Sequence, residues 1–245
     1  MSKKLRTGLL VALLWIIPGA LAAQEGQDPR AHRYLWEMGQ YLASLDQFTF
    51  QSESWTEEKR GGQWVDVGAV TDIYVQRPDG LRARRIGDRG PHDLFYDGRH
   101  LTLWDSTHNF YARSPAPEKL EDMLDFAAVE LGLTLPMADI LFGDSYKVLT
   151  ENTAESHYLG LHEVRGVPCY HLAFKQKDGL EWQVWIEEGK HMVPRKFAIR
   201  HLDGAKFVAY LNDWDVLTHL PVTLFQFVKP AGATEIPFKS VRESK

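Results

Sequence analysis

The 245 residues are 44% hydrophobic and 25% charged, a balance that suits a chain folding round its own core. A net charge of −5 and a pI near 6.1 exclude the basic face that a nucleic-acid binder needs to neutralise phosphates. Cys169 is the sole cysteine, which excludes an internal disulfide and a cysteine-rich metal site.

Lys3, Lys4 and Arg6 precede an apolar run, 8–17, which Pro18-Gly19 breaks before Ala20-Leu21-Ala22. That order predicts a secretory signal peptide over 1–23, with cleavage near Ala23 or Gln24. The run is shorter than the roughly 20 residues of a membrane span, so no transmembrane helix is expected in the mature chain. No cysteine stands at the junction to carry a lipid. Residues 24–29 read as a polar linker.

An amphipathic helix is predicted over 30–45, because Tyr34, Leu35, Met38, Tyr41, Leu42 and Leu45 recur at three- and four-residue steps. From Phe48 the period falls to two. Strands follow at 63–78, 80–88, 92–98, 100–105 and 109–114, separated by Gly61-Gly62, Asp79-Gly80 and Asp97-Gly98. Such pairs supply the positive φ that tight hairpins need. Pro115 and Pro117 then stop the sheet. Residues 118–131 read as a helix with Leu120, Met123, Leu124, Ala127, Ala128 and Leu131 along one side, and Glu118, Glu121 and Asp122 complement its N-terminal dipole. A second short helix is predicted over 136–143, with 144–152 continuing it. Period two resumes at 156–164, 167–176, 180–188, 193–202 and 206–216, and the tail, 229–245, is rich enough in Pro, Gly and charge to be loosely held.

The expected fold is mainly β with α. About ten antiparallel strands are too many to lie flat, so the sheet should curve strongly, with the helices on its concave face. Residues 30–228 form a single domain in this reading, with a helical insertion at 117–152.

Catalytic signals are poor. There is no Gly-x-Ser-x-Gly, no Ser-x-x-Lys and no Gly-rich phosphate loop. Ten histidines invite a metal hypothesis, but His162-Glu163 lacks a second His four residues on and lies in a strand. Glu187-Glu188 and Asp213/Asp215 read as solvated acids near turns. Cys169 reads as a small buried group. No catalytic residue, metal or cofactor is expected. The basic run 82-RARRIGDR-89 is either a solvated strand face, the favoured reading, or a docking surface for an acidic partner or anionic headgroup. Apolar surface remains. Of eight tryptophans, Trp55, Trp64, Trp104, Trp182 and Trp214 fall in strands, either as core or as the lining of a cavity for a long apolar group.

Several strings carry a resemblance: F-Y-D-G at 95–98, V-x-G-x-x-C-Y-H-L-A-F at 164–174, W-x-x-W-I-E-x-G at 182–189, P-R-K at 194–196 and D-W-D at 213–215. Over roughly Asp28 to Phe238 the chain resembles the periplasmic proteins grouped as domain of unknown function 2092. That family is similar to the LolA/LolB lipoprotein-carrier superfamily and to the sensor domain of RseB. The resemblance implies a periplasmic location and an unclosed β-barrel covered by helices. It also implies an apolar cavity for acyl chains, with a lipid or acylated protein as ligand and no catalytic residue. An envelope protein is the alternative partner. Arg82, Arg84 and Arg195 all stand open as the arginine that latches the lid in the carriers.

The residues assigned to the concave wall are Tyr170, Leu172, Phe174, Trp182, Val184 and Ile186, with Phe197 and Ile199 continuing it. Those assigned to the lid are Leu120, Met123, Leu124, Ala127, Met137 and Leu141. Trp185 should face outward between Gln183 and Glu187 and pack under a loop or edge, and Arg195-Lys196 should be rim charges.

Overall fold

The computed structural model describes residues 26–133 and 135–238, so the signal-peptide reading lies outside the described residues. Helix α1 (Pro29–Ala43) is followed by strands β1 (Gln47–Arg60), β2 (Gln63–Gln76), β3 (Gly80–Gly87), β4 (His92–Tyr96), β5 (His100–Asp105) and β6 (Phe110–Pro115). Helices α2 (Leu120–Val129) and α3 (Ser145–Thr150) form the insertion. Strands β7 (Thr153–Val164), β8 (Val167–Gln176), β9 (Glu181–Glu187), β10 (Pro194–Arg200), β11 (Lys206–Asp215) and β12 (Thr234–Glu235) complete the chain.

All the strands join one sheet in the order β12-β6-β5-β4-β3-β2-β1-β11-β10-β9-β8-β7. Its outer strands, β12 and β7, do not pair with each other, so the sheet is an unclosed barrel. Each block is a meander of hairpins, as the Gly-containing turns predict. The blocks meet where β1 pairs with β11, Ser54 opposite Ala209 and Thr56 opposite Phe207. No local signal announces that pairing, because its partners lie some 150 residues apart in the chain.

Two expectations need correcting. The sheet gains a strand from the tail, where Thr234 and Glu235 run parallel to Phe110 and Tyr111. Phe227 packs on Phe95 and Tyr111, and the Tyr111 hydroxyl donates to Glu235 at 2.9 Å, so this part of the tail is strapped down. The short helix expected over 136–143 is a single 3-10 turn, Ala138–Leu141, entered through Met137 at φ 63°. α3 does not continue it. Asp144 caps a fresh helix by accepting from the Lys147 N–H at 3.1 Å.

Alternation along each strand assigns its faces. Phe48, Phe50 and Ser52 of β1, Ile73 and Val75 of β2, and Phe207, Ala209 and Leu211 of β11 are buried on one side. α1 lies on that side across β7, β8 and β9, with Leu35, Met38 and Leu42 fully buried beneath it. Asp28 caps α1 through the Arg30 N–H at 2.9 Å. His32 Nδ1 meets the Tyr146 hydroxyl at 3.0 Å and joins α1 to α3, while Tyr41 reaches His191 Nδ1 at 2.6 Å and joins it to the β9–β10 loop.

Candidate functional site: a roofed apolar wall

The wall forms because β8, β9 and β10 carry large apolar side chains at alternate positions and pair in a register that aligns them. Phe174 stands opposite Trp182, Leu172 opposite Val184 and Tyr170 opposite Ile186. Trp182 stands opposite Ile199, and Val184 opposite Phe197. Trp182 stacks on Phe174 with centroids 4.2 Å apart, and Tyr170 stacks on Tyr34 of α1 at 3.9 Å. Every residue assigned above to wall or lid lies in one apolar cluster: Met137, Tyr170 and Ile199 are partly buried at its border and the rest are buried. The cluster continues past β1 into Ile73, Val75, Leu94, Tyr96 and Leu101, a second half of the wall that the wall assignment omitted.

The roof fills its own space. Leu120, Met123, Leu124 and Ala127 of α2 are at most 4% exposed, and Ile140 and Leu141 are buried beside them. Polar anchors hold α2 at one end. The Leu120 N–H donates to the Pro78 carbonyl at 2.7 Å, and the Tyr96 hydroxyl donates to the Pro117 carbonyl at 2.6 Å. Glu121 accepts from the Gly143 N–H at 2.7 Å, which ties the roof to itself. From Met123 to Val129, no hydrogen bond or ion pair among the described residues fastens α2 to the sheet. Met123, Leu124 and Ala127 join it to the wall by apolar contact.

A charged residue borders this space. Arg77 follows Ile73 and Val75 on the inward side of β2, and its guanidinium lies 6.0 Å over the Phe48 ring. Its Nε and Nη2 are buried without an acceptor among the described residues, and Glu121 at the start of α2 is its electrostatic neighbour. Two-residue alternation along β2 could have singled it out. The arginines left open as a latch point elsewhere. Arg82 bonds Asp93 at 3.0 Å and lies over Phe95, on the face opposite the helices. Arg195 bonds Glu187 at 2.7 Å on that same outer face. Arg84 shares the outward parity of Arg82 on β3.

On the outer face one expectation holds and another needs correcting. Trp185 faces outward and packs under a loop, as expected: it is 9% exposed, stacked on His171 at 4.0 Å and packed with Val164 and Cys169. The tip of the β7–β8 hairpin turns through Arg165 at φ 51° and Gly166 at φ 84° and folds over this face. Arg165 bonds Glu53 of β1 at 2.5 Å and lies 4.3 Å over Tyr210. Lys196 is not a rim charge, because a register shift after Pro194 places it over Trp185 at 4.4 Å. His171 and His162 meet through their Nδ1 atoms at 2.8 Å because β7 pairs with β8. Burial holds the His171 pKa below its ordinary value and pushes the Cys169 thiol up to about 11, so the thiol is not a ready nucleophile. Among the described residues no group of three or more His, Cys, Asp or Glu side chains could hold a metal ion, and no helix is long and apolar enough to cross a membrane.

The model of a family described as predicted periplasmic proteins, domain of unknown function 2092, matches residues 31–239. The chain belongs to that family. No curated protein shows detectable similarity to its sequence. In fold, this member of domain of unknown function 2092 is similar to an uncharacterised conserved protein from Thermus thermophilus, with a TM-score of 0.50 at 10% identity over 85% of this chain and 99% of that one. LprF from Mycobacterium bovis (TM-score 0.49, 10% identity, 80% of this chain and 98% of that one) is also similar. So is a LolA superfamily protein from Nitrosomonas europaea (TM-score 0.40, 12% identity, 80% and 97%).

Proposed function

We propose that this protein shelters a lipid, an acyl chain or an acylated protein in the periplasm, without covalent chemistry, by exchanging roof side chains for ligand. The observation that carries this reading is that α2, from Met123 to Ala127, meets the wall through apolar side chains. Burying a large apolar side chain is worth about 1.5–3 kcal/mol, and Met123, Leu124, Ala127 and Leu141 supply that burial to the wall in the closed form. An acyl chain offers the same burial against Trp182, Val184, Ile186 and Phe197. Opening over Met123 to Ala127 therefore trades one set of apolar contacts for another. The unmet N–H groups of Arg77 suit an ester or amide carbonyl at the polar end of such a ligand.

The test is export to the periplasm, mild purification and native mass spectrometry, together with displacement of a fluorescent fatty acid. Bound lipid, or saturable displacement that Leu124→Asp or Val184→Asp abolishes, is the expected result. Lipid-free protein that takes up no fatty probe defeats the reading.

A second reading, an envelope module that binds a protein without lipid, is favoured by the β7 edge. Leu159 and Leu161 are 46% and 51% exposed there, on the outer strand of the sheet beyond the bridge that Gln27 makes to Ser156. Capture of a periplasmic protein that Leu161→Lys abolishes, with no lipid recovered, supports this second reading.

A further inference from the structure

The outer face of β8–β11 contains a built recess that the apolar wall does not use. Its volume is about 390 Å³, and its lining includes Trp55, Glu163, Arg165, Trp185, Lys196 and Tyr210. That volume is within the range of small-molecule sites. The arch that shapes it is the β7–β8 hairpin tip, pinned to β1 by Arg165 and Glu53 and seated on Trp185 through Val164.

The chemistry of the lining is lopsided. Lys196 lies 4.4 Å from the Trp185 centroid and 5.2 Å from the Tyr210 centroid. The two rings flank its ammonium, and no carboxylate among the described residues comes within 4.0 Å of it. Nearby cations differ: Arg165 is neutralised by Glu53, and Arg195 by Glu187. The Tyr210 hydroxyl and the Trp55 indole N–H also bond no acceptor among the described residues, and Arg165 spends only one of its N–H groups on Glu53. Lys, Arg and Trp donate and never accept. Glu163 is the one carboxylate in the lining. Converging donors beside an unpaired cation recognise an acceptor-rich, negatively charged group. The aromatic walls, Trp55 above all, supply apolar area for a small body attached to it.

We infer that this recess binds a small molecule with an oxyanionic head, a carboxylate or a phosphate, whose charge is met by Lys196 and whose body rests on Trp55. The site stands on the convex side of strands whose inward residues form the apolar wall, so its ligand differs from the one that the wall would take.

Benzoate and phenyl phosphate share a ring and differ in the oxyanion, and they serve as probes in calorimetric and tryptophan-fluorescence titrations of the full chain. Saturable binding of at least one is expected, weakening as salt rises and falling at least tenfold in Lys196→Gln, with partial recovery in Lys196→Arg. A preference for benzoate assigns a carboxylate ligand, and a preference for phenyl phosphate assigns a phosphate. Unaltered near-ultraviolet circular dichroism in Lys196→Gln shows that the variant is folded. If neither probe binds, or if Lys196→Gln binds both as tightly as the parent, the inference is overturned.

Discussion

Trp182 and Trp185 stand on opposite faces of one strand, and each is stacked: Trp182 on Phe174 at 4.2 Å inside, Trp185 on His171 at 4.0 Å outside. Their environments differ in extent. Trp182 belongs to the cluster that holds α1, α2 and both halves of the sheet, whereas Trp185 belongs to a small one closed by the hairpin tip. Truncating a core tryptophan costs about 3–5 kcal/mol. Trp182→Ala should therefore lose about that much. Trp185→Ala should lose less, because the hairpin tip can settle into the gap. Urea midpoints with unchanged slopes check the ranking.

The Tyr96 hydroxyl and the Pro117 carbonyl, 2.6 Å apart, hold the chain just before α2. Tyr96→Phe removes that bond and little else, so the closed form should lose about 0.5–1.5 kcal/mol. If the open form is the one that binds, the same change raises its population and tightens apparent affinity for a fatty probe by up to about tenfold. Limited proteolysis within 118–143 should speed up in parallel. Unchanged cleavage together with unchanged affinity would show that Tyr96 does not control the roof.

Local chemistry made much of this molecule legible in its sequence. Gly-containing turns and period-two runs located the hairpins, and the stripe through Leu35, Met38 and Leu42 located α1. Alternation along β9 put Trp182, Val184 and Ile186 on one face and Trp185 on the other, and the two faces belong to separate apolar clusters. What stayed hidden depends on pairing across long separations. Arg165 meets Glu53, 112 residues away, only because of how β7 and β1 are placed in the sheet. Lys196 is turned onto Trp185 by a register shift that no residue type encodes. The tail looked loose because Pro and Gly report local stiffness, whereas its attachment comes from Phe227 finding Phe95.

Stability should fall in two steps as pH drops. Burial lowers the pKa of His171 and of His32 below the ordinary 6.5, so below about pH 6.5 the unfolded chain takes up more protons than the folded one. Their contribution is complete above that value and is lost towards the lower folded values. Asp28 acts further down. Its hydrogen bond from the Arg30 side chain, with the Arg30 and Tyr158 N–H groups, lowers its pKa from 3.8 to about 2, so the α1 cap weakens across that interval. Urea midpoints between about pH 5 and 8 should show the first step, and His171→Gln should shrink it. Asp28→Ala should cost about 1 kcal/mol at neutral pH and remove its share of the second.

The hairpin arch rests on Arg165, which makes two different contacts. Its ion pair with Glu53 joins side chains 47% and 33% exposed, so a double-mutant cycle should return only about 0.2–1 kcal/mol of coupling. That part should shrink near 1 M salt, where charges more than about 3 Å apart are screened. The stacking on Tyr210 at 4.3 Å is screened less, because it lies against an apolar surface. Arg165→Ala should therefore destabilise more than Glu53→Ala, and the excess should survive in high salt. Arg165→Lys keeps the charge but loses the planar fork and the stacking face, so it should behave nearer to Ala than to the parent. Equal effects of Arg165→Ala and Glu53→Ala at every salt concentration would mean that the ion pair alone holds the arch, and that Tyr210 is a bystander.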